Sequence, residues 1–372
     1  MASTSGIVLA PLGVLYGLLT GARRALYRRG ALRVEKIDAP VISIGNITTG
    51  GTGKTPLVEW LALLLAREGH RPCILTRGYG RADARARVVV SDGERVLAGA
   101  FEGGDEPRLL AEKLRGVAAV VSDKDRVAAA RWALDNLSSD LFILDDGFQH
   151  LRIARDFNIL TVDATNPWGG RRLLPRGRLR EPLRELSRAD CCVITRAEQA
   201  TDIDALRAEV SSLTNGRPVF ISRARTKGLR PVAALSSNSF DDESSRGSLL
   251  PLDSLPQHVA AFCALGNPRA FFERLRADGL DLRHTRAFPD HHVYTQRDIE
   301  QFEHEAQARG ALALLTTAKD EVKLRALDFH LPCYAFEIEL EFDDEAAFRQ
   351  SVLQAIAARN SSSGKPGEAS ST

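Results

Sequence analysis

Lys54 and Thr55 close a glycine-rich turn in VISIGNITTGGTGKTP, residues 41–56, which leaves one apolar run and leads into another. That order of residue types suits phosphate. Gly50, Gly51 and Gly53 let backbone N–H groups wrap closely around phosphate oxygens at a helix N-terminus. Lys54 is placed to reach the β- and γ-phosphates of ATP, and the Thr55 hydroxyl to bind Mg²⁺, with Thr48, Thr49 and Thr52 completing the loop. The strict pattern asks for glycine where Thr48 stands. LFILDDGFQH, residues 141–150, supplies the usual partner. Its apolar run ends in Asp145 and Asp146, and one of these carboxylates is expected to hold Mg²⁺ directly or through water. The two stretches together predict nucleotide binding and leave the acceptor unnamed.

Three further stretches could act on an acceptor. FEGGDEPRLLAEKL, residues 101–114, sets Asp105 and Glu106 before a helix that opens with Pro107. They either complement a helix dipole or aim a carboxylate into a cleft, where it could take a hydroxyl proton. RRLLPRGRLREPLRELSR, residues 171–188, carries seven Arg against Glu181 and Glu185 and reads as a solvated face or as a grip on an anionic lipid. FPDHHVYT, residues 288–295, holds Asp290, His291 and His292 in a loop, too few ligands for a metal, and at most one of the histidines is expected to face a cleft. TTAKDEVKL, residues 316–324, places Lys319 and Asp320 after an apolar run, as a helix cap with a surface lysine or as part of a site.

These residues need a scaffold, and the 372-residue chain has enough length for about two domains of ~150 residues. Hydrophobic residues make up 44% and charged ones 26%, which excludes wholesale disorder, and a net charge of +2 gives no basic field for nucleic acid. Five cysteines, mostly inside apolar runs and with no CxxC spacing, suit reduced thiols in a cytosolic core. Short apolar runs at 41–45, 72–76, 117–121, 141–146, 158–163, 191–195 and 218–222 alternate with helical patterns, as in a parallel sheet covered on both faces. The expected architecture is α/β: two α/β/α domains, the first a P-loop NTPase-type parallel sheet over 31–235, the second smaller over 257–359. A Ser- and Asp-rich linker or inserted loop is expected at 236–256, and a flexible tail at 360–372. Residues 6–22 are apolar and are followed by Arg23, Arg24, Arg28 and Arg29. Seventeen residues span only ~26 Å of a ~30 Å hydrocarbon core, so residues 1–30 read as an N-terminal membrane-contact helix lying in the interface.

Taken in order, VISIGNITTGGTGKTP, LTRGYGR (75–81), GGDEP (103–107), ILDDGFQHLRIARD (143–156), LLPRGRLREP (173–182), FPDHHVYT and TTAKD resemble the tetraacyldisaccharide 4'-kinase family, the lipid A 4'-kinases of Gram-negative bacteria. The resemblance implies transfer of the ATP γ-phosphate, with Mg²⁺, to the 4'-hydroxyl of an anionic glycolipid, tetraacyldisaccharide 1-phosphate, giving lipid IVA. It implies a peripheral or monotopic enzyme on the cytoplasmic face of the inner membrane, with no nucleic acid and no obligate protein partner. It also implies that Asp105 is the base and His291 its partner, and that Lys54, Thr55, Asp145, Asp146 and Glu181 occupy nucleotide and metal positions. Two other readings stay open on the residues: another sugar or small-molecule kinase, and a partition-type switch ATPase, whose signature lysine is replaced here by Thr49.

Overall fold

The computed structural model describes residues 4–232 and 249–362. Twelve strands among them form one sheet: β1 (Val41–Gly45), β2 (Pro72–Thr76), β3 (Val88–Ser91), β4 (Ala119–Ser122), β5 (Leu141–Asp145), β6 (Phe157–Asp163), β7 (Cys191–Thr195), β8 (Val219–Pro231), β9 (His258–Cys263), β10 (Asp281–Ala287), β11 (Ala313–Thr317) and β12 (Cys333–Phe342). Their order is β10-β9-β11-β12-β8-β7-β6-β1-β5-β2-β4-β3. The expected parallel core is present around β1, whose five residues are all buried, as a strand covered on both faces should be. Two strands lay outside the apolar pattern. Edge strand β3 pairs antiparallel with β4, and β10 (DLRHTRA) is a half-polar edge strand.

The sheet has no break at the expected domain division. Val219–Ile221 of β8 pair parallel with β7, and the rest of β8 pairs antiparallel with β12. Because β9 and β11 run parallel to β12, the two halves point in opposite directions along one sheet. In a flat sheet the carboxyl ends of β7 and β9 would then lie on opposite edges. Instead, both following turns touch the 49–53 loop, so the sheet curls. A register shift opposite Gly228 in β8 adds the local bend that a bulge produces. Most of the linker expected at 236–256, and the tail after 362, lie outside the described residues; residues 360–362, expected in that tail, end a helix.

Ten helices accompany the described strands: α1 (Thr4–Arg28), α2 (Lys54–Arg67), α3 (Ala100–Gly103), α4 (Asp105–Lys113), α5 (Arg126–Asn136), α6 (Ile203–Leu213), α7 (Pro268–Ala277), α8 (Gln296–Gln307), α9 (Ala318–Leu324) and α10 (Glu345–Ser362). Leu57, Leu61 and Leu65, four apart on α2, pack in one cluster with Ile42 and Ile44 of β1 and Phe348 and Val352 of α10. Each such leucine contributes about 1.5–3 kcal/mol of burial. The opposite face of β1 joins Val41 to Leu144 and to Val127 and Ala130 of α5. With both faces covered, the end of β1 can move little, which fixes the loop that follows it.

Helix α1 packs in the reverse of the usual sense. Its inward face is small: Gly13 lies beside the carbonyls of Leu173 and Leu174, and a Cβ on Gly17 would sit 2.8 Å from Leu173 Cδ1. Arg24 is buried against Glu185 at 3.3 Å and Glu181 at 3.8 Å. Leu12, Val14, Leu15, Leu18 and Leu19 are all about half or more exposed, up to 66% for Leu18. No helix among the described residues is long and apolar enough to cross a membrane.

Candidate active site

Gly53, at φ 72°, is the N-cap of α2, so Lys54 opens the helix and the loop's amides gather at its N-terminus. Gly50, at φ 108°, adopts a backbone that other residues rarely take, and a Cβ there would fall 2.1 Å from Arg178 Nη2. The loop is tied from several sides. Thr195 Oγ1 donates to Thr52 O at 2.9 Å, Arg196 Nη1 to Gly51 O at 2.8 Å, and Thr49 N to Arg178 O at 2.7 Å. Arg178 also reaches Thr49 O at 3.1 Å and Gly266 O, from the turn after β9, at 3.2 Å.

Pairing of β1 with β5 sets Ile44 opposite Asp145, which brings the two carboxylates beside the loop. Lys54 Nζ lies 3.4 Å from Asp146 Oδ1 and donates to Asn46 Oδ1 at 3.2 Å. Arg180 Nη1 donates to Asp146 Oδ2 at 2.7 Å. Burial, reinforced by Glu106, pushes the Asp145 carboxyl above its usual range. Asp146 is held below that range: burial opposes this, but Lys54 and Arg180 prevail. Asp146 Oδ1 is buried without a hydrogen-bond partner. These hard oxygens, with the Thr55 hydroxyl lining the same cleft, fit Mg²⁺, which takes one or two carboxylates and completes its shell with water and phosphate. No group of three or more His, Cys, Asp or Glu that could hold a metal occurs among the described residues.

Glu181 is not brought to this cleft. Its carboxylate is buried, paired with Arg188 and Arg24, and absent from the cleft lining, so its nearest cations already compensate it. It follows Arg180 in sequence, and it is Arg180 that faces Asp146.

Asp105 and His291 meet although they are 186 residues apart. Asp105 is the first residue of α4, after Gly104 at φ 100°, and is 6% exposed. His291, itself at φ 61°, donates from Nδ1 to both Asp105 oxygens, each at 3.1 Å, and its ring lies 5.6 Å from that of Tyr79. His291 is held above its ordinary value by the Asp105 hydrogen bond. Asp105 is held below its own: burial works the other way, and the His291 bond and Lys319 outweigh it. His292 turns away, to Asp298 at 3.2 Å. A cleft of about 1000 Å³ joins all these parts, with Thr55 and Lys54 on one wall and Asp105, His291 and Lys319 on another.

Several contributors escaped the sequence reading. Asn46 steadies Lys54, and Arg178 and Arg180 emerge as functional only once the run at 171–188 is seen lying along the loop. Arg126 and His150 also line the cleft. His150 Nε2 is buried without a partner, and burial, with Arg126 nearby, pushes its imidazole down to about 4, so it stays neutral. Its place four residues after Asp146, in the same LFILDDGFQH stretch, was the one available signal for His150.

The family model described as tetraacyldisaccharide-1-P 4'-kinase matches residues 5–357. A tetraacyldisaccharide 4'-kinase of Chlorobium phaeovibrioides is 39% identical over 342 residues, covering 90% of this chain and 92% of the relative. One from Anaeromyxobacter is 41% identical over 342 residues, covering 90% and 88%. A crystal structure described as the "apo" form of LpxK from Aquifex aeolicus in complex with ATP superposes with a TM-score of 0.75 at 32% identity, covering 95% of this chain and all of that one.

Proposed function

Since the chain belongs to the tetraacyldisaccharide 4'-kinase family and is a phosphotransferase of lipid A biosynthesis, we propose how its own residues carry that reaction. ATP lies along the 48–55 loop, with its phosphates on the loop amides and Lys54. Asp145, Asp146 and the Thr55 hydroxyl would hold Mg²⁺, which would neutralise charge on the phosphates. Lys54 stabilises the charge of the transferring group. Asn46 and Asp146 keep its ammonium aimed along the loop.

The observation that carries the reading is the Asp105–His291 contact. The 4'-hydroxyl has a pKa far above neutrality, so its proton must leave as its oxygen bonds to phosphorus and the γ-phosphorus–oxygen bond to ADP breaks. Asp145 and Asp146 face Lys54 and the metal position, and a metal-bound carboxylate is a poor base. Asp105 and His291 stand on the other wall of the same cleft, hydrogen-bonded to each other, and the pair accepts that proton. Arg23, Lys124 and Arg126, which also line the cleft, suit the substrate's 1-phosphate.

The acceptor is a lipid, and α1 supports delivery from a membrane. Its leucines face outward and its glycines face the protein, so the apolar side has water or lipid as its neighbour. Arg28 and Arg29 lie at the same end and suit anionic headgroups, each contributing about 1 kcal/mol. On this reading the chain works at a membrane surface as an interfacial, non-spanning protein, facing the cytoplasm where ATP is found.

Transfer of labelled phosphate from ATP to tetraacyldisaccharide 1-phosphate tests the base. Asp105→Asn should lower kcat by roughly a hundred- to ten-thousandfold, the range of a general base, with ATP affinity little changed. An active Asp105→Asn, or one that has lost ATP, would move the base elsewhere.

A further inference from the structure

We propose that Lys319 is a positioning residue that loosens the hold of the Asp105–His291 pair on its proton. The proposal rests on the reading of that pair as the base. His291 stands among carboxylates: Asp105 at 3.1 Å from Nδ1, and Asp290 at 3.8 Å from Nε2, with Glu106 next to Asp105 in the chain. An imidazole in such company retains its proton. The protonated pair, an imidazolium hydrogen-bonded to a carboxylate, is then a poor acceptor for the proton of a sugar hydroxyl.

Lys319 Nζ sits among the same groups, 2.8 Å from Glu106 Oε1, 3.3 Å from Asp290 Oδ1 and 4.0 Å from Asp105 Oδ2. It stands in the first turn of α9, which Thr317 caps by accepting from Asp320 N at 3.1 Å. The other groups facing the pair are accounted for. Lys323 comes within 3.9 Å of Asp105, but its ammonium is bonded to Asp320 at 2.8 Å and to His292 O at 3.1 Å and lies over the Tyr294 ring. Tyr79 presents its ring to His291, and farther along α4 Arg108 pairs with Glu112. Asp320 offsets part of the Lys323 charge, so Lys323 adds a smaller pull on Asp105 and Lys319 is the main cation opposing Asp105, Glu106 and Asp290. A cation at 3–4 Å from these carboxylates lowers the affinity of the pair for its proton, whichever member carries it.

The direction agrees at both members, since Lys319 pulls His291 and Asp105 down alike. Removing it therefore raises the apparent pKa of the pair, and the acid limb of the rate profile moves to higher pH. A lysine that merely braced the fold would lower activity equally at every pH.

The test is the pH dependence of kcat at saturating ATP and lipid, on the full chain. Lys319→Gln should move the acid limb up by about one unit, a tenfold loss at a fixed pH on that limb, with recovery at alkaline pH. Lys319→Arg should keep the wild-type limb. Asp290→Asn, which removes an anion, should shift the limb the opposite way and gives a second reading if Lys319→Gln folds poorly by thermal melting. A uniform loss at all pH for Lys319→Gln, or unmoved limbs in both Lys319→Gln and Asp290→Asn, overturns the proposal. Asp105→Asn in the same assay separates the two ideas: inactive Asp105→Asn with unmoved limbs overturns the role of Lys319 alone, and active Asp105→Asn overturns the base itself.

Discussion

Arg178 ties the phosphate loop to the far half of the sheet, and breaking that tie has a calculable effect. Its guanidinium makes two bonds to backbone carbonyls, Thr49 O at 3.1 Å and Gly266 O at 3.2 Å. Charged hydrogen bonds are worth about 1.5–3 kcal/mol, and the lower end applies because Arg178 is only partly buried, giving ~3 kcal/mol for the pair. Arg178→Ala leaves the Thr49 N to Arg178 O bond of 2.7 Å in place, so the segment keeps its register while the loop loses its brace. ATP affinity should fall ten- to a hundredfold, taking about 1.4 kcal/mol per tenfold. Gly50→Ala approaches the same contact from the other side. Its φ of 108° costs an alanine about 1–3 kcal/mol, and the new Cβ, 2.1 Å from Nη2, drives the guanidinium away from both carbonyls. In an Arg178→Ala background only the strain remains, so the double variant should bind ATP at least tenfold better than the summed losses. Calorimetric ATP titration of the variants measures the cycle, and strict additivity of Gly50→Ala with Arg178→Ala would refute the reasoning.

Two shorter predictions follow from the same geometry. Lys54→Ala should retain the fold and lose about a thousandfold in kcat, several kcal/mol of transition-state charge stabilisation; near wild-type turnover in the transfer assay would mean the nucleotide lies elsewhere. Leu15→Asp with Leu18→Asp should abolish co-flotation with anionic vesicles while shifting the melting temperature little, since both side chains point outward; retained flotation would remove α1 as the contact.

The sequence was most informative where one strand and its following turn carry the chemistry. β1, β2 and β7 match the apolar runs residue for residue, because a strand buried on both faces has no polar interruption to blur its ends. The phosphate loop and Asp145-Asp146 were legible for the same reason: each is a local strand-to-turn transition. The half-polar β3 and β10 were not, since an edge strand needs no continuous apolar run. The one sheet running through β8 was also hidden. Its register to β7 and then to β12 is a long-range pairing, and the Ser-rich stretch downstream looked like a boundary. Glu181 shows the limit of carrying roles along a motif, because a charge in an arginine-rich run can turn either way. The chain turned it onto Arg24 and Arg188, leaving Arg180 to face the site.

That turn also joins two features that the sequence presents as unrelated. Tyr16 of α1 donates its hydroxyl to Arg180 O at 3.1 Å, and Arg24 is buried against Glu181 and Glu185. On its other side the same segment runs beside the phosphate loop: Arg180 N donates to Ile47 O at 2.7 Å, Arg178 brackets Thr49, and the Arg180 side chain holds Asp146. Residues 178–181 are thus shared between the helix that presents leucines outward and the loop that is to hold ATP. Gly13 and Gly17, four apart on α1, let the helix lie close enough to make those bonds. A larger side chain at Gly17 would meet Leu173. The outward leucines and the inward glycines therefore serve one arrangement, in which the surface suited to the lipid and the loop suited to the phosphate donor are fixed relative to each other by four residues.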